Sequence, residues 1–251
     1  MKQGVYIDGA PGGPWMGHAL GEVGCIWLGR TQGEVVTGAP LAIAEFHAWL
    51  ARHGEPALAS SSQDLPAAAD VVVEVKDIQV VEGFGRSGSA VGFFEPDLEP
   101  VTDDDIDLAV RRLGYARVDL LEMVGGLPGE VLDRRPPGGK RTVRENLIHI
   151  RNCHGFYLTR ILGMEGTMAV LPEPWPEDDI LASLDWVVVR AVAALRDLPP
   201  GLRQGVIRAD HPAEDWTARK MLRRFVEHER EHVEVVRHTL EAREQAVGTA
   251  R

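Results

Sequence analysis

Three of the chain's nine histidines stand where residue type and spacing could do chemistry. His228 and His232 are four residues apart in a charged stretch of helical period near the C-terminus. On a helix they project from one face a single turn apart, the spacing at which two imidazoles can bind one ion. His149 lies in an earlier helical stretch, and in a bundle a facing helix can bring a third imidazole to the same point. Three protein donors leave positions open to water or substrate, the arrangement of a catalytic site rather than a closed structural one. The plainer reading makes His228 and His232 surface residues of a Glu/Arg-rich helix and His149 a hydrogen-bonded core residue. HxxxH pairs arise easily by chance, so spacing alone leaves both readings open.

His228-Glu229-Arg230-Glu231-His232 is also a literal HExxH, with His238 where a metzincin would carry its third ligand. That motif needs a glycine to turn the chain between the second and third histidines, and Val235 stands there. On an uninterrupted helix His238 lies roughly 80° from His228, roughly 120° from His232 and about 9 Å beyond the latter. A gluzincin would need a glutamate on a following helix, and the sequence given ends at Arg251. A metalloprotease is therefore the disfavoured alternative. His154 competes with His149 for the second helix, but five residues turn it about 140° away, so the two cannot face one metal. It lies in register with Val143, Leu147, Ile150 and Ile161, which suits a packed core position. Cys153 is one turn beyond His149 on the same face, near enough to approach an ion, although a buried small hydrophobe is its ordinary role. Glu229 and Glu231 read as solvated groups or partners of the histidines rather than as general bases.

The elements that must position these residues begin near position 103. Thr102 followed by Asp103, Asp104 and Asp105 predicts a capped helix running to about Val124, stopped by Gly125 and Gly126. Thr142 with Glu145 is a capping box opening a second helix to about Gly163. A third spans roughly Asp178 to Leu198, ended by Pro199 and Pro200, and a fourth runs from near Thr217 to about Gln245. Four long helices with apolar stripes predict a bundle.

The preceding part reads as mixed α/β, giving an α+β chain divided into residues 1–98 and 99–251. Strands are expected at Val5 to Asp8, Trp15 to Leu20, Cys25 to Leu28, Val71 to Val81 and Ala90 to Phe94. Thr31 with Glu34 starts a short turn, and Pro40 places the main helix from about Pro40 to His53. Glu55 to Asp70 reads as a loop. Gly83, Gly85 and Gly88 have GxGxxG spacing, but a strand-like run follows where a dinucleotide site needs a helix, so a hairpin turn is expected. His18, His47 and His53 fit no ligand spacing and read as ordinary surface or edge residues.

From Leu113 to Leu240 the sequence resembles the DinB-like (DinB/YfiT-type) metal-binding family. The resemblance rests on Leu113-Gly114-Tyr115-Ala116-Arg117, Leu127-Pro128, Thr142-Val143-Arg144-Glu145, Leu147-Ile148-His149-Ile150, Trp216-Thr217, Arg219-Lys220 and the segment from His228 to His232. It implies a four-helix bundle of crossover topology. It also implies one divalent metal, commonly zinc or nickel, on His149, His228 and His232. Members of this kind include metal-dependent thiol transferases and a thiol-dependent isomerase, which implies a transferase or hydrolase, with a low-molecular-weight thiol as co-substrate and a small electrophile as its target. A non-catalytic sensor or interaction module with a structural metal is the alternative. Neither the thiol nor the electrophile is identified, and no arginine cluster marks a carboxylated substrate.

The region from Val5 to Gly54 resembles HicB-like antitoxin domains through Met16-Gly17-His18-Ala19, Gly24-Cys25, Gly29 before Thr31, Glu34 and Ala42-Ile43. Val23 replaces the usual proline, and the DNA-binding segment often attached to such domains is replaced by the bundle. The resemblance implies a fused protein-binding or ligand-binding module, or a structural appendage, rather than a working antitoxin.

Composition sets the outer limits. A net charge of −11 and a pI near 5.3 argue against a nucleic-acid partner, whose phosphates need Lys and Arg. No apolar leader follows Lys2 and no run suits a bilayer, so a cytoplasmic protein with no membrane partner is expected. Cys25 and Cys153 form no CxxC pair and read as free thiols. Both domain types are compatible with a homodimer.

Overall fold

The structure, a computed structural model, describes residues 1–55, 65–82, 91–138, 141–176, 179–210 and 213–248, with the side chains of 243–248 excepted. The chain is α+β and divides into two compact units, Met1–Glu99 with Arg208–Trp216, and Pro100–Ile207 with Thr217–Arg251.

The first unit is built on a four-stranded sheet: β1 (Lys2–Gly9), β2 (Trp15–His18), β3 (Ile26–Gly29) and β4 (Val72–Val80), in spatial order β3-β2-β1-β4. β1 pairs antiparallel with β2 and parallel with β4, and β2 pairs antiparallel with β3. Gly17 of β2 sits opposite Trp27, where a Cβ would lie 2.3 Å from the indole. That indole donates to the Val35 carbonyl at 2.7 Å and fixes the start of the next helix to the sheet.

This helix, α1 (Gln32–Arg52), departs from expectation because Pro40 lies inside it. Thr31 caps it as the sequence indicates, accepting from the Glu34 N–H at 3.1 Å. Proline removes one helical hydrogen bond at a cost of about 3 kcal/mol. Val35, Ala39, Ile43, Phe46 and Leu50 form a buried stripe spanning the proline on both sides. Each large apolar side chain removed from water contributes roughly 1.5–3 kcal/mol, so the stripe outweighs the lost bond.

Two further expectations for this unit are corrected. Residues 91–94 form no strand; instead the Gln79 carboxamide of β4 both donates to the Phe93 carbonyl and accepts the Phe93 N–H, at 2.6 and 2.9 Å. One side chain thus replaces the backbone ladder. Gly83, Gly85 and Gly88 lie outside the described residues, as do residues 56–64 of the expected loop. His18 and His47 are buried rather than at the surface. His18 Nε2 is 2.9 Å from Asp8 Oδ1, and Asp8 Oδ2 accepts the Gly92 N–H at 2.6 Å, so an inward-facing β1 carboxylate requires a polar partner. His53 packs edge-on against Trp49.

The second unit contains, among the described residues, four long helices: α2 (Asp103–Val124), α4 (Val143–Val170), α5 (Ile180–Arg196) and α6 (Ala218–Gly248), with a single turn, α3 (Gly129–Leu132), after α2. α2 packs on α5 and α6, and α4 packs on α5 and α6, so α2 and α4, consecutive long helices, stand diagonally. That is a crossover bundle. α4 passes the expected stop at Gly163, which takes φ 70° and breaks the helical path before the helix resumes to Val170. A short hairpin, β5 (Ile207–Asp210) and β6 (Ala213–Trp216), precedes α6 and was not expected; its four-residue strands carry Arg208, Asp210, Glu214 and Asp215, leaving no apolar alternation to read.

The start of α2 shows how its cap is locked. Thr102 Oγ1 accepts the Asp105 N–H at 3.2 Å, Asp105 accepts the Thr102 N–H at 2.8 Å, and Arg219 of α6 bonds the same carboxylate at 3.0 Å through two nitrogens. Burial works to raise the Asp105 carboxyl, but Arg219 and Thr102 outweigh it and hold it below the ordinary value. The stabilisation is therefore complete above the unfolded value near pH 4 and is lost as pH falls through the lower folded value. Asp105→Ala should lower stability by about 1–2 kcal/mol at pH 7, as for loss of a helix cap. Urea melts of the two proteins at pH 7 and pH 3 should show the gap narrowing in acid.

Candidate metal centre

The capping box that starts α4 is the one expected: Glu145 N–H donates to Thr142 Oγ1 at 3.1 Å, and Thr142 N–H donates to Glu145 Oε2 at 2.7 Å. From that start the helical period buries Val143, Leu147, Ile150, His154, Leu158 and Ile161 and leaves His149 and Cys153 half-buried on a flank. α6 begins at Thr217, whose hydroxyl accepts the Lys220 N–H at 3.1 Å. Its position against both α2 and α4 buries an apolar stripe of Met221, Leu222, Phe225, Val226, Val233 and Val236, together with charged neighbours.

The packing of α4 on α6 brings the three predicted histidines together. His149 Nε2 is 3.2 Å from His228 Nε2. The ring of His232 is 4.7 Å from that of His149 and 4.4 Å from that of His228, centre to centre. His228 and His232 are only 5% and 6% exposed, which removes the surface reading of this helix face. Burial, reinforced by Arg141, pushes His149 down to about 4. Burial, with His149, Arg141 and Arg224, pushes His232 down to about 3, and burial with His232 and Arg224 holds His228 well below its ordinary value. All three are neutral at pH 7 and present lone pairs. The Nδ1 atoms of His228 and His232 are buried with no hydrogen-bond partner. Cys153 joins the cluster, its Sγ 3.7 Å from both ring nitrogens of His149. The ligand atoms of His149, Cys153 and His228 all lie within 4.8 Å of one another. Buried, neutral nitrogen donors beside a sulfur are a set suited to a borderline-soft divalent cation.

Glu229 points elsewhere. It is fully buried, with Oε2 3.0 Å from His154 Nε2 and Oε1 3.0 Å from Arg117 Nη2. Burial works to raise its carboxyl, but Arg117 and then His154 prevail and keep it ionised. Burial likewise lowers His154 against the pull of Glu229, so the pair is a neutral imidazole on a carboxylate neutralised by arginine. The glutamate of the HExxH spacing is thus committed to a helix contact and is not solvated, and α6 continues past His232 with His238 exposed.

Residues 112–236, from within α2 to within α6, match the DinB superfamily model. This bundle belongs to the DinB superfamily. The DinB segment holds every histidine of the cluster and leaves the sheet of the first unit outside the match. The chain is also similar to YfiT from Bacillus subtilis, described as a probable metal-dependent hydrolase with an unusual four-helix bundle topology. That similarity has 20% identity and a TM-score of 0.42, covering 62% of this chain and 95% of YfiT. No curated protein matches the chain.

Around the DinB cluster lie groups the sequence did not mark. Arg224 bonds Glu227 at 3.0 Å and lies 3.5 Å from the Tyr157 hydroxyl, and Tyr157 sits edge-on to His228. Arg223 bonds the same glutamate at 3.0 Å. Spacings of three and four residues between these charges suggest a solvated face, and only the burial of α6 between two helices shows otherwise. Charges of both signs act on the cluster: burial, with Glu231, pushes the Cys153 thiol up to about 11, while Arg224 and Arg141 pull the other way.

Glu229→Ala should destabilise the protein by about 3–5 kcal/mol, because Arg117 is left buried without its counter-charge. Glu234→Ala, on the exposed side of α6, should change stability by less than about 0.5 kcal/mol. Paired urea denaturation curves check both.

Proposed function

We propose that the bundle holds one divalent metal ion on His149, His228 and His232 and is a metal-dependent enzyme acting on a small thiol, transferring it to a small electrophile. The observation that carries the reading is the convergence of three uncharged imidazoles from two helices, with a 3.2 Å approach of two Nε2 atoms. Two buried imidazoles would not be held in this way for packing alone, since apolar side chains of similar volume fill a core without orphaned nitrogens.

A divalent cation there favours thiolate over thiol, which supplies a strong nucleophile at neutral pH. The chain's own residues contribute the rest. His228 and His232 are fixed by burial in α6, while the half-buried His149 and Cys153 give the site its reachable side. Arg141 and Arg224 favour negative charge at the cluster, as their effect on the Cys153 thiol indicates. Tyr157, held by Arg224 and pressed edge-on against His228, limits the freedom of that imidazole. Zinc or nickel suits nitrogen-rich donors, whereas magnesium and calcium prefer oxygen.

A second reading, a binding module whose metal only joins helices, draws on β4. This edge strand exposes Val72, Val75, Ile78 and Val80, apolar groups that could meet a partner strand. A stable partner together with no thiol affinity in the metallated protein would favour it.

Metal content of the purified protein should be about one ion per chain. His149→Ala and His228→Ala should each weaken binding by more than the roughly 10–100-fold that loss of an outer-shell partner costs. Titration of the loaded protein with 2-mercaptoethanol and with cysteine should then give saturable heat. No metal after reconstitution would overturn the proposal, and metal without thiol binding would move it to the second reading.

A further inference from the structure

We propose that the Cys153 thiolate is a further donor to the metal, so that the centre is nitrogen and sulfur ligated rather than purely histidine ligated. The inference rests on the metal site proposed above and concerns a residue outside the three histidines. Its basis is a comparison of distances. With metal–nitrogen bonds of about 2.0–2.1 Å, two nitrogens on one tetrahedral ion stand about 3.3 Å apart; with a metal–sulfur bond of about 2.3 Å, sulfur and nitrogen stand about 3.6 Å apart. His149 Nε2 and His228 Nε2 are 3.2 Å apart, and Cys153 Sγ is 3.7 Å from His149 Nε2. The first separation is that of an edge of a coordination tetrahedron; Cys153 Sγ, equally 3.7 Å from Nδ1 and Nε2 of His149, reaches the second edge by a turn of the His149 ring, the donor atoms of His149, Cys153 and His228 already lying within 4.8 Å of one another.

The placement follows from the helix. Four residues separate Cys153 from His149, so both leave α4 on one side, as His228 and His232 leave α6 on one side. The buried His228, whose Nε2 faces His149 and whose Nδ1 has no hydrogen-bond partner, meets this pair across the helix interface. Cys25, the other thiol, lies in the sheet unit and takes no part. A thiolate donor makes the site softer than three imidazoles alone and tilts it further toward zinc and away from oxygen-preferring cations.

The test uses the full chain stripped of metal and reloaded with Co(II), in the wild type, Cys153→Ser and Cys25→Ser. The wild type should show a sulfur-to-cobalt charge-transfer band in the near ultraviolet. The band should vanish in Cys153→Ser while cobalt remains bound, and should persist in Cys25→Ser. Cobalt bound without the band, or a band surviving in Cys153→Ser, overturns the sulfur ligand while leaving the histidine site standing. Failure of the wild type to bind cobalt overturns both readings. A measurement on the wild type alone covers a variant that does not fold: X-ray absorption at the zinc edge of the zinc-loaded protein should require one sulfur at about 2.3 Å beside nitrogens at about 2.0–2.1 Å. A shell fitted by nitrogen and oxygen alone overturns the proposal.

Discussion

The bundle is organised by a charge that cannot reach water. Glu229 has no exposure, and an ionised carboxylate is tolerated there only because a guanidinium from α2 and an imidazole from α4 meet it within about hydrogen-bonding distance. This contact joins three of the four long helices at one level of α6. Residues one position before and three positions after it on α6 are His228 and His232, so whatever orients Glu229 also sets the rotation of α6 that aims both imidazoles at α4. Packing of Met221, Phe225 and Val233 would allow some sliding along the interface; the directional bonds that Glu229 accepts from two other helices do not.

The same rotation separates the glutamate of the protease-like spelling from the histidine cluster. Successive residues on a helix turn by about 100°, so a glutamate directly after a histidine cannot share its direction. In a metalloprotease the ion lies where both can still reach a water. Here His228 faces His149, whereas Glu229 faces His154 and Arg117, and the two sets of contacts lie on different sides of α6. His154 and His149, about 140° apart on α4, sort in the same way: one receives the carboxylate, the other joins the donor cluster.

What could be read in the sequence was what local chemistry decides. Thr102 with Asp105 and Thr142 with Glu145 start their helices through bonds within four residues, and the His228–His232 pair needs only helical geometry. What could not be read depends on distant partners. Pro40 argues for a break that the stripe from Val35 to Leu50 overrides once the sheet is present to cover it. Gln79 substitutes for a strand, and nothing about a glutamine announces that. His18 is buried because Asp8, ten residues earlier, faces the same interior. Arg223, Arg224 and Glu227 spell a solvated face, and burial by two neighbouring helices contradicts the spelling. Cys153 was legible as a neighbour of His149, but its closeness to His228 requires the packing of α4 on α6.

An asymmetry in burial bears on how such a site would work. The α6 donors are enclosed and the α4 donors are half open, so the approach to the cluster runs along the flank that carries His149 and Cys153. Enclosed donors would favour a bound cation, because its departure would leave buried imidazole nitrogens without a partner. Half-open donors would govern exchange, since they are the ones an incoming group can reach. A thiol entering along that flank would meet His149 and Cys153 before it met the histidines of α6. Affinity and access would thereby fall to different helices, a division that follows from the enclosure of His228 and His232 on α6 and the half-burial of His149 and Cys153 on α4.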